Sequence, residues 1–319
     1  MAELPCDCMH TSRRWSFVSR QITLPKKFDI RKALATSPPK PDFVLPGLPT
    51  GTVGALVAPG ATGKTIFLLQ TCVALATGMS IFGGLFAKIG DARAPPAKVA
   101  LVVAEESFDV MHMRLHSVVA HALGGINPLL EPEAISSFHD SICANLDLYP
   151  LAGSTKLLID GCDDSGTGWE KLHRIAAGAR LLVIDPLRQF HTGDENDSWA
   201  MTSVLQSLQR IASEHRCAVL VAHHTNKSST LNGQGDRAGA SRGSAAFTDG
   251  VRWQLNLSAL DDSLAGDFGL GRDIQSGFIR ADLAKANYLP PQPPQVLKRE
   301  AGGVFELVRK SAGKKRVRA

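Results

Sequence analysis

Aromatic residues are scarce, at 6% of 319 residues with two tyrosines, so base stacking is expected to be minor. Cysteines are few and scattered, at positions 6, 8, 72, 143, 162 and 217, which excludes a disulfide framework. Cys6, Cys8 and His10 come nearest to a metal cluster, but no CxxC pair or second ligand set completes a four-fold site. The thiols therefore read as reduced and the chain as cytoplasmic. Long apolar runs are missing too: the stretch 66–79 carries Gln70 and Thr71 and is too short to cross a bilayer. The first thirty residues mix Arg13, Arg14, Arg20, Lys26 and Lys27 with polar groups, so no secretory leader is expected. Membrane, secreted and collagen-like classes are thereby excluded. What remains, with 44% hydrophobic and 20% charged residues, is a globular chain long enough to fold on its own core.

The net charge of +5 is unevenly spread. Residues 309–319 carry +6 and residues 1–32 carry +4, leaving −5 for the body between them. Basic tails add sequence-independent affinity for nucleic acid by releasing counterions, and they also simply solubilise. The expected organisation is a basic extension over 1–27, an ATPase core over 28–308 and a basic tail over 309–319.

After a short helix at 28–35 and the Ser37-Pro38-Pro39-Lys40-Pro41 linker, the pattern becomes strand, loop, helix, repeated. Strands are expected at 52–57, 98–104, 179–185 and 217–222, and helices at 64–76, 107–123 and 199–215. The strands are continuously apolar rather than alternating, which indicates a sheet covered on both faces, as in parallel α/β folds. Later runs at 250–257, 277–283 and 303–308 lack long helices between them, so the sheet is expected to end antiparallel. The fold class is α/β: a RecA-like P-loop core with a mostly parallel central sheet, flanking helices and antiparallel C-terminal strands.

Ala58-Pro59-Gly60-Ala61-Thr62-Gly63-Lys64-Thr65 lies between a strand and a helix, where a P-loop must be. Its N–H groups and the helix N-terminus suit phosphates. Lys64 reaches the β- and γ-phosphates in this arrangement, and Thr65 ligates Mg²⁺. Ala58 replaces the first glycine of the strict pattern, a position that needs only a small residue. Asp185 ends the 179–185 strand as a second metal-directed carboxylate. Glu105 and Glu106 follow the 98–104 strand, and either is placed to activate water, Glu105 first. His223 and His224 end the 217–222 strand; neighbouring strand residues face opposite ways, so one of the two faces the nucleotide. Residues 226–243 are rich in Gly, Ser and Asn with Lys227, Arg237 and Arg242, a composition that cannot pack as core and suits a DNA-facing loop.

With these pieces in order, the chain resembles the plasmid-encoded RepA family of hexameric replicative helicases, related to the DnaB and RecA ATPases. The resemblance rests on Phe43-Val44-Leu45-Pro46, Gly51 through Val57, the P-loop, Ala104-Glu105-Glu106 and Arg114-Leu115-His116. It continues through Leu182-Val183-Ile184-Asp185, Arg188-Gln189-Phe190-His191, His223-His224, Ala240 through Ser244, Val251-Arg252-Trp253 and Lys285-Ala286-Asn287-Tyr288, covering about residues 28–290. It implies Lys64, Thr65 and Asp185 on ATP and Mg²⁺, Glu105 as general base and His224 as γ-phosphate sensor. It also implies Arg252 as an arginine finger supplied to the neighbouring subunit, with Arg242 and Lys285 as further interface candidates. A strand arginine read without the family would more simply pair with a surface acid. The resemblance further implies a hexameric ring moving 5′ to 3′ on single-stranded and fork DNA, with plasmid initiator and primase proteins as partners. Two other readings compete: a RecA-like regulatory ATPase that binds DNA without unwinding it, and a P-loop kinase of small molecules. No acceptor-site motif supports the kinase.

Overall fold

A computed structural model describes residues 26–80, 82, 84–86, 95–124, 131–153, 167–225 and 245–310. The chain forms two compact units, Met1–Lys40 and Pro41–Ala319. In the first, the single described helix α1 (Ile30–Ala35) starts after Asp29, whose side chain accepts the Lys32 N–H at 2.9 Å. The helix thus begins two residues later than the apolar pattern suggests, because Asp29 is its cap rather than a member. Phe28, Ile30 and Leu34 are exposed.

The second unit opens with a hairpin, β1 (Phe43–Leu45) and β2 (Leu48–Pro49), followed by β3 (Val53–Ala58) and α2 (Lys64–Thr77). Next come β4 (Val99–Val103), α3 (Phe108–Leu123), α4 (Pro132–Asn145), β5 (Leu146–Pro150), α5 (Thr167–Ala176) and β6 (Leu181–Asp185). The chain continues with α6 (Ser198–His215), β7 (Ala218–His224), α7 (Ala245–Gly250), β8 (Trp253–Ala259) and α8 (Asp262–Asp267). It ends with β9 (Phe278–Ala286), β10 (Gln295–Arg299) and β11 (Phe305–Val308).

Among the described residues, nine strands form one sheet in the order β11-β10-β9-β8-β3-β7-β6-β4-β5. The run from β8 to β5 is parallel, and β9, β10 and β11 add antiparallel pairs. Successive strand residues alternate between two cores. Leu56, Val99, Leu101, Val103, Leu181, Val183 and Leu220 pack with Leu68, Leu69 and Cys72 of α2 and with Met111 and Val118 of α3. Their neighbours Val57, Ala100, Val102, Leu182, Ile184 and Val221 pack on the other face with Leu172 of α5 and with Val204, Leu208 and Ile211 of α6. Every residue of β3, β4 and β6 is buried, which is why their sequences run apolar without alternation.

The parallel strands all end at one edge of the sheet. Loops after β3, β4, β6 and β7 must therefore meet there, a geometry that sets the functional site in open α/β sheets.

Candidate nucleotide site

The four loops line a cleft of about 520 Å³. Its floor is the N-terminus of α2. Gly63 precedes the helix with φ +97°, a left-handed value that favours glycine, and no side chain caps the helix. The first N–H groups of α2 are thus left for a ligand, and the helix dipole makes that ligand an anion.

Lys64 is buried, and its ammonium lies 3.2 and 3.1 Å from the Ala58 and Pro59 carbonyls. It also lies 3.3 Å from His224 Nδ1. An ammonium only donates, so Nδ1 accepts and the imidazole proton sits on Nε2. Burial lowers the Lys64 pKa, partly opposed by Asp185 and Glu105. Burial also lowers that of His224, with the Lys64 charge pushing the same way, so the ring is held neutral.

Thr65 donates its hydroxyl to Asp185 Oδ2 at 2.6 Å. Asp185 is 3% exposed, and burial pushes its pKa up to about 6, against the Thr65 hydrogen bond and the Lys64 charge, which both lower it. A carboxylate so poorly solvated is stabilised by a cation, and this pair fits Mg²⁺.

The adjacent acids of the sequence both line the cleft but differ in exposure and partners. Glu105 is exposed at the cleft rim and accepts Gln189 Nε2 at 3.2 Å. Glu106 is tied to Arg114 of α3 at 2.6 Å. Of the two, Glu106 is held by a cation and Glu105 faces solvent. The adjacent histidines do separate. His224 lines the cleft, whereas His223 is buried behind it, 3.7 Å from Glu195 and stacked on Phe247 of α7 at 4.2 Å.

The structure brings Lys64, Thr65, Glu105, Asp185 and His224 together, with Gly60, Ala61 and Gly63 of the loop. It does not bring Arg252 or Lys285 to them. Arg252 precedes β8, whose first residue pairs with Gly54, so it stands at the opposite sheet edge, one strand length or roughly 20 Å away. Lys285 is level with Gln254 at that same edge and donates to the Thr248 carbonyl at 2.7 Å. Lys227, Arg237 and Arg242 lie outside the described residues.

Several cleft residues, among them Arg114, Gly302, Gly303 and Arg299, were not anticipated as site residues. Arg299 ends β10 and donates from Nη2 to the Thr62 carbonyl at 2.9 Å. The Gly302-Gly303 pair three residues on is a hairpin signal over 295–308, but nothing in it says where the hairpin lands.

Comparison with solved structures places the fold. A solved ATPase domain matches at TM-score 0.53 and 14% identity over 82% of this chain and 86% of that one. A DnaB-like replicative helicase, whose structure was described with its primase interactions, matches at TM-score 0.53 and 15% identity over 81% of this chain. This chain spans 57% of that helicase. The family model of the AAA domain family AAA_25 matches residues 19–230, and the chain belongs to that family.

Proposed function

We propose that the chain is an ATP-hydrolysing DNA helicase of the plasmid RepA type, a ring-shaped motor on single-stranded DNA, moving 5′ to 3′ at a replication fork. The observation that carries the ATPase reading is the convergence of Lys64, Thr65, Asp185, Glu105 and His224 on the N-terminus of α2. The helicase reading is supported by the fold shared with the DnaB-like helicase and by the ordered sequence blocks that resemble the plasmid family.

In this reading the P-loop residues Pro59 to Thr65 receive the phosphates of ATP. Lys64 places its charge against the terminal phosphates, and Glu105 accepts a proton from the attacking water. Thr65 and Asp185 are the residues that would hold Mg²⁺, which when bound would neutralise phosphate charge. His224 reads the occupied site through its contact with Lys64. On the same strand, His223 stacks on Phe247, so β7 and α7, which flank residues 226–244, are joined beside the cleft. That segment, with Lys227 and Arg237, is the candidate DNA loop.

Arg252 and Lys285, with Arg242, complete the cleft of a neighbouring subunit. A head-to-tail contact of this kind pairs opposite edges of two sheets and closes into a ring, taken as six subunits. The exposed Phe28 just before α1, and Ile30 and Leu34 on it, suit packing on such a neighbour, since a helix this short is not stable alone. Residues 1–27 and 309–319 act as basic extensions, plasmid initiator and primase proteins are the partners, and the location is cytoplasmic.

The test is ATP hydrolysis with and without single-stranded DNA at low salt, with Glu105→Gln in parallel, followed by fork unwinding. Several-fold stimulation by DNA that vanishes in the variant, together with unwinding, supports the motor. Stimulation without unwinding favours a regulatory DNA-binding ATPase, and DNA-independent hydrolysis removes the DNA motor altogether.

A further inference from the structure

The strand β10 is antiparallel to β9, which is antiparallel to β8. It therefore runs with the parallel strands and delivers its last residue, Arg299, to the cleft edge. From there the turn at Ala301–Gly303 leads into Phe305, the first residue of β11. Three sets of contacts tie this hairpin to the P-loop.

First, Arg299 takes the Thr62 carbonyl, as above. A loop that aims its N–H groups inward at phosphate must turn carbonyls outward, and an outward carbonyl in a protein wall needs a donor. Second, the Arg299 guanidinium lies over the Phe305 ring, 5.3 Å from its centre. That ring is packed against Gly63, where an added Cβ would stand 2.9 Å from it. Third, Gln70, two turns along α2, grips Phe305 by both backbone groups. Its Nε2 donates to the Phe305 carbonyl at 3.0 Å, and the Phe305 N–H donates to its Oε1 at 2.7 Å. The two P-loop residues with positive φ, Ala61 at +60° and Gly63 at +97°, flank Thr62. For Ala61, which is not a glycine, such a backbone persists only where its surroundings fix it.

We propose that the β10–β11 hairpin braces the P-loop of its own chain in the phosphate-receiving shape, with Arg299 as a positioning residue for nucleotide capture. This rests on the ATP-binding reading above and adds to it that affinity, not the chemical step, is set by Arg299 and Phe305. Arg299 acts through the Thr62 carbonyl and Phe305 through Gly63.

The experiment measures equilibrium binding of a fluorescent ATP analogue, and the KM and kcat of ATP hydrolysis, for wild type, Arg299→Ala, Arg299→Lys and Phe305→Leu. Arg299→Ala is expected to raise Kd and KM about tenfold, the low end for a lost charge-assisted hydrogen bond. Its kcat is expected to stay within about twofold. Arg299→Lys recovers most of the affinity, because an ammonium also donates to Thr62, and Phe305→Leu falls between the two. A kcat loss at unchanged KM overturns the proposal, as does wild-type affinity in Arg299→Ala. A lowered melting temperature in nucleotide-free Arg299→Ala that Arg299→Lys fails to repair overturns it as a folding defect. If wild type itself binds no nucleotide, the ATP-binding reading fails and takes this one with it; if wild type binds and Arg299→Ala binds equally well, only the brace fails.

Discussion

The parallel and antiparallel halves of the sheet meet the cleft in different ways. In the parallel half, all strands end at one edge, and four of them, β3, β4, β6 and β7, each place polar groups at the cleft within a few residues of their last apolar one: Lys64 and Thr65, Glu105, Asp185, His224. The antiparallel half sends every second strand end away from that edge. Its basic residues are accordingly divided. Arg252 and Lys285 stand at the far edge, Arg280 is held by Asp261 and Asp282 at 2.7 and 2.6 Å, and Arg299 alone of these four lines the cleft. The contrast teaches that strand direction, not residue type, sorts these cations into one that lines the chain's own cleft, one that ties the sheet together, and two at the far edge, of which Arg252 is exposed and Lys285 is held by the Thr248 carbonyl.

The sharpest test of that sorting is Arg252. If it serves a neighbour, Arg252→Ala lowers kcat by about 10³–10⁵, the range for arginine fingers. Mixing it with Lys64→Ala then restores activity, since an intact Lys64 and an intact Arg252 meet at some interfaces. Wild-type rates in Arg252→Ala would return it to a surface role and leave the antiparallel half as scaffold plus brace.

A smaller effect is expected from Glu105→Gln, which should cut hydrolysis by about 10²–10⁴ while nucleotide binding persists, as for a lost general base. Glu106→Gln, which loses only the Arg114 pair, should cost far less, and steady-state rates of the two variants separate the acids. Equal losses would mean that the cleft rim does not discriminate between them.

Asp185 sharpens the comparison through stability. Its folded pKa of about 6 lies above the unfolded value, so the native state binds the proton more tightly. Folding stability of the nucleotide-free chain from this group is then greatest at low pH and falls as pH rises between about 4 and 6. Asp185→Asn, which still accepts from Thr65, should therefore stabilise the nucleotide-free chain at pH 7 by on the order of 2–3 kcal/mol, with the gain fading near pH 4. Denaturant melts at both pH values check this, and a pH-independent difference would refute the burial cause.

The smallest effect is expected away from the cleft, at the pair of Arg180 with Asp42, which is bidentate and partly exposed. Asp42→Asn should cost about 0–1 kcal/mol, and less in high salt, because solvent screens such pairs. A larger loss in thermal melts would show that the segment just before β1 depends on it.

Much of this was legible in the sequence. Continuous apolar runs announced the buried parallel strands, and the P-loop announced α2, since both signals are local and follow from burial on two faces and from backbone geometry. The helix α4, the strand β5 and the helix α5 were not anticipated. Strand β5 is a sheet-edge strand whose residues, Pro150 apart, are only half-buried, so its pattern LDLYP is mixed, and α4 buries little beyond Ile142. The strand β10 went unread for a similar reason: QVLKR buries only Val296 and Leu297. The sequence by itself determined the fold class, the P-loop and the acids that end strands, because those depend on periodicity and spacing along the chain. Only the tertiary structure showed that Glu106 pairs with Arg114 while Glu105 meets Gln189, that His224 rather than His223 lines the cleft, and that Arg299 reaches Thr62 from 237 residues away. Neighbouring residues differ by which face they present, and distant ones meet by strand direction; neither is written in local composition.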